Sequence, residues 1–336
     1  MILAAGEGRR LAPLTDDWPK PLFPVGDRPV VSYLFELLRY YGIKDVVLNI
    51  HHLGEQIEKV LGDGSRSSVR ISYSREEDLL GTGGGIRNAS GFWEEEDILV
   101  INGDNLLDLN LGKLNLFNQA SGGTATMVLK PMGSHQDYTP IYLDKGSYIE
   151  AIGGKPRSLP SYAFIGTQIL SSGFVKRLPS RGPACLVRDG YQKILHSRKN
   201  PDRLSGFVTT GYWREISTMR GYWEANMDFL KGKSPSYYYR GREDFTRRGL
   251  YVGKECRIGP RVNFSAPVYL GDGCEIGAGT TLGPRIMVGA GSIIGERCSL
   301  QDVIIWPKSK IRKGSRLHDV IITPFGKVKP LRSGYN

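Results

Sequence analysis

Residues Leu3–Gly26 read LAAGEGRRLAPLTDDWPKPLFPVG, which places two glycines, an arginine and a proline-flanked lysine just after a short apolar run. Ile2 to Ala5 reads as a buried strand that breaks at Gly6 and Gly8. Glycine at such a break permits positive φ and lets a phosphate approach backbone N–H groups with no Cβ in the way. Arg10 adds a planar, permanently charged fork. Lys20, held between Pro19 and Pro21, adds a mobile point charge on a stiffened backbone. Bare amides, one guanidinium and one ammonium together suit a polyphosphate. The spacing excludes two common alternatives: the third glycine of the dinucleotide fingerprint is missing, and G-x-x-x-x-G-K-[ST] does not occur here.

Two further segments carry candidate chemistry. Glu76–Ile86 reads EEDLLGTGGGI, where Gly81 lets a base lie flat on the backbone and Gly83 to Gly85 are expected to offer free amides at a helix N-terminus. Asn102-Gly103-Asp104 ends an apolar run, and Asp104 is a suitable ligand for a hard cation that bridges phosphate oxygens.

The elements that must position these residues follow from periodicity. Val30, Leu34, Leu37, Leu38 and Tyr41 recur at helical spacing across residues 29–41. Residues 46–50 and 69–73 read as strands, 53–61 as a helix, 85–91 as a helix start and 98–101 as another strand. This alternation predicts an α/β domain with a Rossmann-like, mainly parallel sheet, whose ligands collect at the strands' carboxyl ends. Residues 124–218 mix short strands with turns, and 221–230 reads as a last helix. Met1 sits almost on the first strand, so either the start lies a few residues upstream or that strand's edge is frayed.

A strict repeat follows. Steps of six from Val252 reach Ile258, Phe264, Leu270, Ile276, Leu282, Val288, Ile294, Leu300 and Trp306, with glycine next at 253, 259, 271, 277, 283, 289 and 295. This is the hexapeptide pattern of a parallel β-helix, here a short prism of about three coils. Cys256, Cys274 and Cys298 fall on its small interior positions and read as inert core. The period fails after Trp306, so an irregular coil or cap is expected there. The expected domains are 1–232, a connector 233–250, the prism 251–323 and a tail 324–336.

At 336 residues, two domains are the expectation. No run approaches a membrane span and no secretory leader is visible, so no membrane partner is expected. The cysteines have neither C-x-x-C spacing nor histidine partners, which fits a reducing cytoplasm. A net charge of +11 suits phosphate-rich small ligands, and no nucleic-acid motif accompanies it.

The string G-x-G-x-R-L-x-P-L-T followed by P-K-P-L-x-P-V closely resembles the signature of the sugar-1-phosphate nucleotidyltransferases. The resemblance covers nearly the whole chain and implies a catalytic domain followed by a left-handed β-helix. It implies that Arg10 and Lys20 are catalytic, and that Leu3, Ala4, Ala5, Gly6, Gly8, Gly81, Thr82 and Gly103 contact the nucleotide. Glu76 stands where the family faces the nucleobase, and a carboxylate there could accept from the two adjacent donors of guanine. Asp104 matches the family's first Mg²⁺ ligand. Residues 211–226, GYWREISTMRGYWEAN, resemble the segment G-x-W-x-D-I-G-T-P-x-x-Y-x-x-A-N that bears the second. Glu215 there replaces Asp, Ser217 Gly and Met219 Pro. Lys155 matches a contact to the sugar phosphate, although Gly154 stands for the usual sugar-binding Glu.

The implied reaction is Mg²⁺-dependent transfer of a nucleotidyl group from an NTP to a sugar 1-phosphate, with GTP and mannose 1-phosphate favoured by Glu76 and the prism. NIHHLGEQI, GDGSR and GTGGGI also resemble the N-acetylmuramate-1-phosphate uridylyltransferases, which lack the prism, and a glucose-type or non-catalytic regulatory relative remains open. An acyltransferase prism would need a general-base histidine, yet the only candidate beyond residue 196 is His318, past the regular coils. The prism is therefore expected to be an oligomerisation or regulatory element, with a homo-oligomer forming through it.

Overall fold

Strand Ile2–Leu3 lies between Asp45–Ile50 and Ile98–Asn102, parallel to both, and Asp45–Ile50 continues in parallel to Arg70–Arg75. The computed structural model describes residues 1–93, 95–133, 137–154, 160–197, 202–239, 249–326 and 328–330. Contacts divide the chain into two compact units. The first comprises Met1–Glu7, Pro19–Pro21 and Leu34–Trp213; the second comprises Gly8–Trp18, Leu22–Tyr33 and Arg214–Asn336.

In the first unit the parallel half agrees with the predicted alternation. Helices Val30–Tyr40, Gly54–Leu61 and Gly81–Asn88 connect or flank its strands, with Leu34, Leu37 and Leu38 buried on one helical face. Residues 124–218, ambiguous by local pattern, turn the sheet antiparallel. Ser161–Leu170 pairs antiparallel with Ile98–Asn102, Ala125–Pro131 and Ile141–Leu143, while Leu204–Val208 returns parallel to Ala125–Pro131. Ser161–Leu170 carries a register shift between Phe164 and Gln168, centred on Gly166 at φ +68°. A single buried cluster that includes Val100, Met127, Leu129, Phe174 and Tyr191 joins the two halves.

The second unit holds the repeat. Strands Leu250–Val252, Val268–Leu270 and Ile286–Val288 stack in parallel with residues 303–305 and 320–322. The other two faces stack four strands each, giving four turns and a fifth partial one rather than about three. The glycine after each apolar step lets successive coils touch: a Cβ on Gly277 would sit 2.4 Å from the amide nitrogen of Glu296. Cys274 and Cys298 are buried and free, and burial pushes the Cys274 thiol up to about 11.

Trp306 is a correction to the period-six reading. Val288 pairs with Ile305, so Trp306 lies one residue past the interior position. Its ring instead packs edge-on against Phe23, with centroids 5.0 Å apart, and near Tyr222. The slip arises at one corner. Three residues separate Phe264 from Val268 and Leu282 from Ile286, but only Gln301 and Asp302 separate Leu300 from Val303. The next corner, His318 and Asp319, is equally short, so the coil after Trp306 is regular, with a spacing of seventeen instead of eighteen. His318 therefore lies within the stacked strands and not past them.

The shortened corner is locked by charge. Asp302, 1% exposed and at φ +55°, accepts from Arg285 Nε and, at 2.7 Å, from Arg285 Nη2; His318 Nε2 lies 3.4 Å from the same carboxylate. Burial pushes the Asp302 carboxyl up, but the Arg285 hydrogen bonds outweigh it and the net shift is downward. A depressed folded-state value contributes stability above the unfolded value of about 3.9 and loses it as pH falls below. Asp302→Asn is thus expected to lower Tm at pH 7, with the gap to the parent closing as pH falls through about 4. A gap that stays constant in acid would exclude this role for the ion pair.

The helix Met219–Leu230 packs within this second unit. Tyr222 donates to the Pro24 carbonyl at 2.7 Å, Asn226 accepts from the Gly26 amide at 3.3 Å, and Phe229 meets Tyr269 edge-on at 5.5 Å. Those contacts join the proline-rich segment to the repeat. Among the described residues no helix is long and apolar enough to cross a membrane.

Candidate nucleotide site

The four parallel strands Ile98–Asn102, Ile2–Leu3, Asp45–Ile50 and Arg70–Arg75 all point one way, so their carboxyl ends lie side by side. There the chain presents Ala4–Gly6, Asn49–His51, Glu76 and Asn102–Asp104, all in the first unit. Ala4 and Ala5 are buried and Gly6 is exposed. Gly8 takes φ +65°, as expected for the break, whereas Gly6 is not among the positive-φ residues. A Cβ on Gly6 would meet no atom within 4 Å. The protein's own packing therefore does not require glycine at that position. Gly6→Ala is expected to leave the unfolding free energy within about 1 kcal/mol of the parent, yet to raise the KM for the nucleotide. An unchanged KM would show that nothing packs on Gly6.

Gly103 is needed for close approach. Its amide donates to the Leu3 carbonyl at 2.8 Å, and a Cβ would lie 2.8 Å from that same oxygen. This contact places Asp104 beside the glycine loop. Asp104 is buried, and Lys20 Nζ donates to its Oδ2 at 2.6 Å. Two residues 84 positions apart, expected respectively as a catalytic cation and a metal ligand, thus form one ion pair. Removing either partner of such a pair would leave a buried charge uncompensated.

Glu76 is held within the protein: its carboxylate is buried, Oε1 accepts from Asn49 Nδ2 at 2.7 Å, and Oε2 accepts from the Leu80 amide at 2.9 Å. Each oxygen thus has one partner and one lone pair left over. The glycine-rich string is a correction. The helix begins at Gly81 rather than at Gly85, and the Gly83 and Gly84 amides are not free. They donate to the Ala184 carbonyl at 2.9 and 3.2 Å, the Ala184 amide donates to Leu80, and the Leu186 amide donates to Thr82 Oγ1 at 3.1 Å. Gly81, at φ +70°, could carry no Cβ without placing it 2.9 Å from the Ala184 oxygen. These glycines let residues 182–186 dock on the helix. Nothing in that segment, RGPACL in context, marks it for this part.

Arg10 is exposed in the turn Arg9–Leu11 and, with Gly8, belongs to the second unit. Glu215 ends the strand Trp213–Glu215, is half-buried and also belongs to the second unit. Lys155 lies outside the described residues. Leu3, Ala4, Ala5, Gly6, Lys20, Glu76, Gly81, Thr82, Gly103 and Asp104 share the first unit.

The family resemblance implies a divalent cation, and the donor set can be tested for it. Among the described residues no group of three or more His, Cys, Asp or Glu side chains could form a protein cage. Beside a lysine the first unit offers a buried carboxylate, Asp104. That fits a hard cation which keeps waters and takes most ligands from substrate phosphates, with Asp104 as its protein anchor.

Comparison with known proteins agrees with this architecture. Residues 1–232 match the model of the nucleotidyl transferase family, and residues 249–284 match that of the bacterial transferase hexapeptide with six repeats. The N-acetylmuramate alpha-1-phosphate uridylyltransferase of Neisseria meningitidis is 45% identical over 226 residues, covering 65% of this chain and 93% of that protein. The mannose-1-phosphate guanylyltransferase of Mycobacterium tuberculosis is 28% identical over 281 residues, 83% of this chain and 77% of that protein. The UTP–glucose-1-phosphate uridylyltransferase of Synechocystis is 28% identical over 342 residues, 96% and 86% respectively. Among solved structures, HddC of Yersinia pseudotuberculosis superposes with a TM-score of 0.57 at 24% identity, over 68% of this chain and 97% of that one, a likeness of fold.

Proposed function

Since the chain belongs to the nucleotidyl transferase family, we propose that it transfers a nucleotidyl group from an NTP to a sugar 1-phosphate, giving an NDP-sugar and pyrophosphate. The observation that carries this reading is the Lys20–Asp104 pair set beside an exposed glycine that its own protein leaves uncovered. In the reaction an oxygen of the sugar phosphate attacks the α-phosphorus in line. That bond forms as the bond to the β-phosphate bridging oxygen breaks, and pyrophosphate leaves with the electron pair. The attacking oxygen is already anionic, so the chain needs no general base. Its task is positioning and charge neutralisation. Lys20 would face the growing charge on the departing pyrophosphate, and Asp104 would hold the cation; the family resemblance adds Arg10 to the first role, Glu215 to the second, and Lys155 as the residue that would orient the acceptor phosphate. A bound Mg²⁺ would supply charge neutralisation on the phosphate oxygens.

For the substrates we favour UTP with N-acetylmuramate 1-phosphate. Both Glu76 oxygens already accept within the protein, which weakens the case for guanine, and the relative 45% identical across the catalytic region is a uridylyltransferase for that sugar. GTP with mannose 1-phosphate is the second reading, favoured by a guanylyltransferase that matches 83% of this chain and so reaches into the prism. A cytoplasmic setting is supported by four free cysteines, and self-association through the prism by its exposed Val252, Ile258 and Ile293.

A thermal-shift screen of the four NTPs and their NDP-sugars with Mg²⁺ tests the base. A ligand at one hundred times its Kd stabilises the fold by about 2.7 kcal/mol. UDP-N-acetylmuramate and UTP are expected to raise Tm, and a rise with GDP-mannose alone would overturn the uridylyl reading.

A further inference from the structure

We propose that Asn49 is a positioning residue that sets the distance between the two nucleotide loops. The proposal rests on the nucleotidyl-transfer reading and extends it to Asn49, the first residue of NIHHLGEQI, to which the sequence assigned no role. Asn49 and Glu76 are 3% and 6% exposed; Asn49 is near the carboxyl end of Asp45–Ile50, and Glu76 directly follows the adjacent parallel strand Arg70–Arg75. Asn49 Oδ1 accepts from the Ala4 amide at 2.8 Å, and Asn49 Nδ2 donates to Glu76 Oε1 at 2.7 Å. Glu76 Oε2 accepts in turn from the Leu80 amide, the residue before the helix Gly81–Asn88. One side-chain amide and one carboxylate thereby connect the first residues of the glycine loop to the start of the second loop. The link is short and without slack. A Cβ on Gly85 would fall 2.5 Å from Glu76 Oε1 and 2.7 Å from Asn49 Nδ2, so the helix rests directly on the pair.

Direction matters in this relay. Asn49 must offer its oxygen to Ala4 and its NH₂ to Glu76; Glu76 must accept on both sides. The nucleotide spans both loops, one holding phosphate and the other base, so their separation enters its binding directly. On that reading the acceptor sugar phosphate is oriented by Lys155, which belongs to neither loop.

The order of donors and acceptors supplies a decisive test. Asn49→Asp keeps the acceptor for Ala4 but sets two carboxylates face to face. Glu76→Gln sets two NH₂ groups face to face. Together, Asp at 49 accepts from Ala4 and from the new glutamine NH₂, whose carbonyl still accepts from Leu80, so the relay is restored with its roles exchanged. Each single variant is expected to raise the NTP KM and Kd roughly tenfold, the scale of one unsatisfied buried polar group. The double variant is expected to return both to within about threefold of the parent, a non-additive cycle. The KM for the sugar 1-phosphate should not move in any of them.

The double variant conserves one carboxylate and one amide, so it decides the question even if a single variant fails to fold. Losses that add instead of cancel would mean that Glu76 touches the ligand itself, and would overturn the proposal, as would single variants with an unchanged NTP Kd. Calorimetry on the full chain reads nucleotide binding apart from turnover. A parent that binds NTP without turnover would sink the catalytic reading while leaving the Asn49 test intact.

Discussion

Lys20→Ala is expected to lower kcat by about 10²–10³-fold, the scale of removing one preorganised charge from a transition state, while the KM for the sugar 1-phosphate changes little. Lys20 Nζ sits 2.6 Å from Asp104 Oδ2, with only 19% of the lysine and 5% of the aspartate side chain exposed. Deleting the ammonium therefore does two things. It removes the positive charge that would face the departing pyrophosphate, and it leaves a buried carboxylate without its partner. The second effect is a stability cost of roughly 1–3 kcal/mol, readable as a lower Tm in the absence of nucleotide. Lys20→Arg retains a positive charge, but its rigid planar fork cannot reproduce a compact ammonium at that distance. It should recover most of the Tm and only part of kcat. A Lys20→Ala enzyme with unchanged kcat would remove Lys20 from the reaction.

Gly283→Ala is expected to be the most damaging single change in the prism. Gly283 has φ +111°, and a Cβ there would lie 1.8 Å from the Ser265 carbonyl oxygen and 3.1 Å from Val268 Cγ2. The clash is with backbone of the preceding coil, so no side chain can rotate to relieve it. The Gly283 amide also donates to Leu300 O at 2.9 Å, which ties the same residue to the following coil. A loss above about 3 kcal/mol is expected, seen as a large fall in the urea midpoint or as insoluble protein. Ser265→Gly would not relieve it, because the clashing atom is the backbone oxygen. Gly283→Ala with a parental urea midpoint would show that this corner is not as close-packed as described.

The expectation of a phosphate loop came from local residues: Gly6, Gly8, Arg10 and Lys20 sit in one string whose types are chemically constrained. What the string could not reveal is its partners. Lys20 meets Asp104 only because the first strand lies beside Ile98–Asn102. Asn49 reads as one polar residue in an apolar strand, and its part emerges only when three strand ends are side by side. The amides of Gly83 and Gly84 looked free for the same reason, since their acceptor is Ala184, a hundred residues away and without a motif. In the prism the period itself misled. Trp306 satisfied a six-residue step by coincidence, because a corner shorter by one residue had already moved the register. A lost residue at a corner leaves no trace in hydropathy until the next coil is aligned against the last.

The most direct test of the central claim is pyrophosphate release by the purified full chain with Mg²⁺, supplied with UTP or GTP and each of N-acetylmuramate 1-phosphate, mannose 1-phosphate and glucose 1-phosphate. Release that requires both an NTP and a sugar 1-phosphate, greatest with UTP and N-acetylmuramate 1-phosphate and lost in Asp104→Asn, is the predicted result. No release with any pair, from protein that still binds nucleotide, would contradict it.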